Sequence, residues 1–212
     1  MNKAEKILIG FVIFSIVMKY LFVPGSGVTF LLSMGVLSSM YFYFGFLFFN
    51  GIRLRNIFKK DAYKGVTAWR ILGAIATGLG LSTILIGMLF RGQHWPGANI
   101  NLVTGIVISF TVGIVALIKY RKNKVPYYKN ILIRVSVMVL MGIVILSISE
   151  RTFVELRFRN HPKYIEAYNE FQEDKGNNKL RDKTWIEYNR ATMDSVGFKY
   201  FMENDFIPYE EE

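Results

Sequence analysis

Cysteine is absent from the 212 residues. That excludes disulfides, thiol nucleophiles and Cys-based metal sites, and is silent about redox compartment. Histidine is nearly absent, with only His94 and His161. A zinc site draws three or four ligands at recognisable spacing, so neither a metal nor another cofactor is expected. Acidic residues are missing from most of the chain. Residues 1–149 hold only Glu5 and Asp61 against sixteen Lys and Arg, a net +14, whereas residues 150–212 carry ten basic and fourteen acidic side chains, a net −4. Between Ile7 and Ser149 the one carboxylate is Asp61, in a basic stretch. No carboxylate is therefore expected inside the apolar region, where proton relays and cation-coupled transporters place theirs.

Apolar residues are what the chain has in excess. They make up 52% of it, with 16% aromatics and a mean hydropathy of +0.28, which points to the membrane class. A crossing helix needs about 20 mainly apolar residues. Five runs qualify, at residues 7–23, 28–49, 71–90, 100–118 and 131–149. Lys19 and Arg134 lie near the ends of the first and last, where long basic side chains snorkel to the interface. MNKAEK followed by apolar residues resembles a signal sequence. Lys19 interrupts the run and no A-x-A-like site follows, so an uncleaved first anchor is the reading.

The basic charge reads as topology rather than nucleic-acid affinity, because no aromatic-studded basic patch or nucleic-acid motif accompanies it. Connections alternate in character. Pro24–Gly27 and Gly92–Asn99 are short and uncharged at their centres, whereas Arg53 to Arg70 and Lys119 to Lys129 are rich in cations. Positive-inside counting places the N-terminus and both basic connections in the cytoplasm. Both Pro-Gly turns and residues 150–212 then lie outside, which in a bacterium is the periplasm. The bilayer, and a membrane-protein partner or second copy, are the expected partners.

The two turns align at an offset of 72. Lys19 falls on Arg91, Pro24 on Pro96, Gly25 on Gly97 and Ser26 on Ala98. Pro ends a helix and Gly lets the chain reverse. The expected fold is thus an all-α integral membrane protein of five helices, with two repeated hairpins (about 7–60 and 73–130) and a fifth helix within 1–149. Small residues recur every four positions, as Ala74, Gly78 and Ser82, and again as Gly105, Ser109 and Gly113. In lipid such stripes let helix backbones approach closely.

His94 and Trp95 invite a catalytic reading. A triad, however, needs Ser, His and a carboxylate to converge, and no acid lies near. An interfacial His bonded to a helix-end carbonyl, beside a Trp of the aromatic belt, is the favoured reading. Lys19 and Arg91 either snorkel into headgroups or hold an anionic partner.

After Ser149 the last span is expected to continue to about Arg159. A new helix then starts at Pro162, capped by Asn160 or His161, with Tyr164, Tyr168 and Phe171 on one face. A second runs over about 178–193, and DFIPYEEE reads as a tail. Some 60 residues with two short helices barely bury a core of their own, so this acidic segment is expected to pack on the membrane part or a partner.

LIGMLFRGQHWPGANINLVTGIVIS resembles the membrane hairpin of the GldL family, the gliding-motility and type IX secretion proteins of Bacteroidota. The matching residues are Arg91, His94, Trp95, Pro96, Gly97, Ala98 and Gly105, within about 35 residues. The resemblance implies an inner-membrane helical assembly whose type members help power secretion and gliding from the proton gradient. This chain has Ser109 where the family carries a membrane glutamate, and lacks the family's long coiled-coil region. An assembly or interaction component of the cell envelope, without catalysis, is the expected function. A small transporter or channel lined by Ser82, Ser109 and Thr111, with Arg91 at its mouth, is the alternative. An enzyme near His94 comes third.

Overall fold

The computed structural model describes residues 3–21 and 23–208, and every regular element among them is helical. It forms two compact units, Met1–Ser147 and Ile148–Glu212. The first contains α1 (Lys3–Tyr20), α2 (Ser26–Asn50), α3 (Ala68–Gln93), α4 (Ala98–Asn123) and α5 (Pro126–Ser147). Helices α2 to α5 are each long and apolar enough to cross a membrane, which marks the chain as a membrane protein. By the same measure four of the five runs read from the sequence qualify, and the first is not among them. Helix α1 has only 18 residues and carries Lys3, Glu5, Lys6 and Lys19.

Consecutive helices pack on one another, and α3 and α2 also reach α5. Helix α3 is therefore central. Its Leu81, Ile84 and Leu85 join Phe30, Leu37, Leu102 and Ile131 in one core. Outward-facing side chains such as Phe11, Val107, Phe110 and Leu140 are apolar too, as expected of helices whose solvent is acyl chain.

The basic stretch at residues 119–129 is mostly helix end rather than loop. Lys124, in the left-handed region at φ 48°, and Val125 alone separate α4 from α5. Tyr127 Oη donates to Arg70 O at 2.7 Å, tying this connection to the start of α3. At the same end, residues 51–67 join α2 to α3 through two 3-10 turns, Leu54–Asn56 and Lys60–Tyr63.

In the second unit the expected continuation of α5 is broken. The Ser149 hydroxyl accepts the Thr152 N–H at 3.0 Å and starts a separate α6 (Glu150–Arg157). Helix α7 (Pro162–Glu173) begins after His161, where the sequence places it. Asn177 caps α8 (Asn178–Thr192) by accepting from Lys179 and Leu180 N–H. A short α9 (Ser195–Tyr200) and a π turn (Phe201–Asp205), not foreseen from the sequence, complete the unit.

This unit has its own core, contrary to the expectation from its size. Val154, Phe158 and Tyr164 are buried against Tyr168 and Tyr188. The Phe158 and Tyr164 rings lie 4.4 Å apart, and Tyr188 is 5.6 Å from Tyr164. Four helices rather than two, and several rings of large area, supply the missing burial. Burial pushes the Tyr164 hydroxyl well above its ordinary pKa and lowers that of the Arg157 guanidinium, because each charged form loses water.

Candidate functional site: two reversed turns and a buried ion pair

RGQHWPGAN is a helix stop followed by a helix start. His94 adopts the left-handed conformation, φ 59° and ψ 30°, that ends α3. Its N–H donates to Arg91 O at 3.3 Å, and the Trp95 N–H donates to Phe90 O at 2.8 Å. This pair of bonds is the Schellman motif, whose apolar clamp here is Trp95 edge-on to Phe90 at 5.4 Å. Pro96 follows, and Gly97, left-handed at φ 86°, starts α4. Helix α2 ends the same way with Gly51 at the left-handed position, the residue that pays least for it. His94 does the work of a glycine.

The first turn repeats the helix start. Gly25 is left-handed at φ 79° and begins α2. Thr29 Oγ1 donates to Gly25 O at 3.2 Å, and Asn101 Nδ2 donates to Gly97 O at 3.0 Å. Thr29 and Asn101 are themselves 72 positions apart, so the register of the sequence alignment extends into the hydrogen bonding. Ser15 and Ser33, hydroxyl to hydroxyl at 2.9 Å, are offset by 72 from Gly87 and Gly105. A Cβ on Gly87 would lie 2.7 Å from Leu102, and one on Gly105 would lie 2.6 Å from the Ile84 nitrogen.

A shared bond network stitches the turns together. Lys19 Nζ donates to Gln93 Oε1 at 2.9 Å, and Gln93 Nε2 donates to Gly27 O at 2.8 Å. Lys19 also lies 4.9 Å from the Phe30 ring centroid, and the Phe30 ring fills the space where Gly92 has no side chain. Arg91, the counterpart of Lys19, is buried and donates to Asn99 Oδ1 at 3.3 Å within its own turn. Pro24, Pro96, His94 and Trp95 remain at the surface, while Ala98 is buried.

The two small-residue stripes do not face each other. Gly78 and Ala74 lie against Gly45 of α2, and Ser38 Oγ donates to Ser82 O at 3.1 Å, also from α2. The α3 face meeting α4 uses Gly80 and Gly87 instead, opposite Ser109, Gly105 and Leu102. Gly113 faces Val135 of α5. Gly80 and Gly87 escaped the sequence reading because a four-residue period picks one stripe and α3 has two. Ser82 and Ser109 are sealed at these contacts, 1% and 0% exposed, whereas Thr111 is exposed and bonds Val107 O.

Near the other end of the bundle the structure corrects a central expectation. Glu5 is 3% exposed and lies between α2 and α5. Arg134 Nε donates to Glu5 Oε1 at 2.6 Å and Nη2 donates to Oε2 at 2.7 Å, while Tyr41 Oη donates to Oε1 at 2.7 Å. The guanidinium also sits 5.5 Å from the Phe49 ring centroid. A carboxylate is thus held among membrane helices after all. The signal for it was Arg134 itself. A cation eight residues into an apolar helix needs a counter-charge, and Glu5 borders the apolar runs.

No family model, curated protein or solved structure matches this chain. Among the described residues no three His, Cys, Asp or Glu side chains converge as a metal site would require. His94 serves the turn through its backbone.

Proposed function

We propose that this protein is an assembly or interaction component of a bacterial cell envelope, held in the inner membrane by a five-helix bundle. One observation carries the reading. Several polar side chains within the bundle bond helix to helix: Glu5 to Arg134 and Tyr41, Lys19 to Gln93, Ser15 to Ser33, Ser38 to Ser82. Such bonds fix a scaffold rather than line a path. The stitched turns and the buried pair also support α1 as the fifth crossing helix. Glu5 and Lys19 lie about 21 Å apart along it at 1.5 Å per residue, and each is anchored to a neighbouring helix.

Charge supports the orientation. The connection at residues 51–67, and the α4 and α5 ends around Lys124, lie at one end of the bundle and carry the cations, so that end is cytoplasmic and the Pro-Gly turns are periplasmic. The second unit then stands in the periplasm, where its exposed Trp185, Val196 and Tyr200 offer contact surface. The α3–α4 hairpin shares ancestry with the GldL-type hairpin through Arg91 and His94 to Ala98. With Ser109 packed on Gly80 in place of a glutamate, it is not assigned the motor role. A transporter or channel is supported less well, because Ser82, Ser109 and Thr111 line no common face.

The test is photo-crosslinking from native membranes, with probes at Val107, Leu140 and Trp185. Adducts to a defined membrane protein or to a second copy are expected. Recovery of the lone chain from all three positions overturns the proposal.

A further inference from the structure

The connection between α2 and α3 combines two features that topology alone does not require. Arg53, Arg55, Lys59 and Lys60 are all exposed, and the single acid, Asp61, is bound to Lys64 at 2.8 Å. Among these cations stands Phe58, 96% exposed, and in the first turn of α3 stands Trp69, 82% exposed. The segment is nonetheless internally bonded. Tyr63 Oη donates to Ile57 O at 2.8 Å, Ile52 is buried, and the two 3-10 turns close through Asn56 N–H to Arg53 O and Ala62 N–H to Lys59 O. The structure therefore holds a phenyl and an indole ring outside the fold.

We propose that residues 51–69 form a lipid-binding face, on which Phe58 and Trp69 enter the headgroup boundary while Arg53, Arg55, Lys59 and Lys60 bind the phosphates of anionic phospholipids. Place favours lipid over a protein partner. The segment is tethered at both ends to helices that are long and apolar enough to cross the bilayer, so it lies at headgroup depth. Charge favours anionic headgroups, since basic side chains at the surface are drawn to them within a Debye length. Aromatic rings settle at this level because one face is apolar and the surroundings are wet. Lys124 between α4 and α5, with Arg121, Lys122 and Lys129 on the flanking helix ends, adds further cations at the same end, where Tyr127 ties α5 to the start of α3. This inference rests on membrane embedding and not on the assembly reading.

The experiment uses the full chain with Trp95→Phe and Trp185→Phe, leaving Trp69 as the only tryptophan. It is reconstituted in bilayers of phosphatidylcholine with phosphatidylglycerol, one or the other brominated. Quenching of Trp69 at least threefold more effective by brominated phosphatidylglycerol is expected. That preference should vanish in Arg53→Gln/Arg55→Gln/Lys59→Gln/Lys60→Gln and fall in 0.5 M salt, as screening requires. Equal quenching by both lipids overturns the anionic assignment. No quenching by either, in protein that resists alkaline extraction from the bilayer, overturns the lipid face and identifies the surface as one for another partner. Protein released by alkaline extraction would instead overturn the embedding.

Discussion

Glu5 and Arg134, 129 positions apart, meet in a two-point ion pair that joins the first helix of the membrane unit to the last. Tyr41 from α2 completes the carboxylate's bonding. The arrangement has the planar fork geometry that makes Arg–carboxylate pairs directional, and it explains why a charged, 18-residue helix belongs in an apolar bundle.

Removing one partner should therefore cost more than removing both. Glu5→Gln or Arg134→Met leaves a buried charge or an unanswered donor set, a loss of about 3–5 kcal/mol. The double variant Glu5→Leu/Arg134→Met should recover most of that loss. Thermal unfolding in one detergent, followed by tryptophan fluorescence, measures the three. Equal destabilisation of single and double variants would deny the coupling.

His94 should be better replaced by glycine. Its left-handed conformation costs an L-residue roughly 1–2 kcal/mol, partly offset by the extra freedom of an unfolded glycine. His94→Gly is expected to raise stability by about 1 kcal/mol, and Trp95→Ala to lower it through loss of the Phe90 contact. Midpoints of thermal unfolding decide both. A destabilised His94→Gly protein would show that the imidazole ring matters more than the turn.

Close approach predicts a graded glycine series. A methyl on Gly105 would meet the Ile84 nitrogen at 2.6 Å, and one on Gly78 would meet the Tyr41 carbonyl oxygen, while Gly35 has nothing within 4 Å. Gly78→Ala and Gly105→Ala should each cost about 1–3 kcal/mol by forcing helices apart. Gly35→Ala should be neutral. Chemical denaturation in mixed micelles ranks the three.

Much of this fold is legible in the letters, and the reasons differ by element. Pro and Gly mark the turns because backbone sterics are local, so the register of Gly25 with Gly97 could be read directly. Pro162 located α7 for the same reason. Glu5 could not be placed, since beside Lys3 and Lys6 it looks like part of a soluble, topology-setting end. Only tertiary packing brings it to Arg134. The left-handed cap at His94 was not legible, because glycine is the usual signal for that place. The break at Ser149 was hidden because apolar character runs right up to it, through Ile148, and the cap depends on one hydroxyl. The core of the second unit was underestimated because Val154 and Phe158 were assigned to the continuation of the last span, whereas they pack with Tyr164 and Tyr188.

In the second unit, pH dependence follows from Tyr164. Burial raises the pKa of its hydroxyl above the ordinary value of about 10. A raised folded pKa contributes stability below the unfolded pKa and loses it as pH rises through the folded one. The unit should therefore hold through neutral pH and weaken from about pH 10 upward. Tyr164→Phe should flatten part of that alkaline decline in Trp185 fluorescence. An unchanged profile would assign the decline to other groups.

The most direct test of the assembly claim is the mass of the particle the protein occupies in its own membrane. Polymer extraction with surrounding lipid, followed by native mass spectrometry, should give a protein mass above that of one 24.5 kDa chain, from a second copy or a defined membrane partner. A single chain with lipid alone, reproducibly and at native expression, would contradict the account.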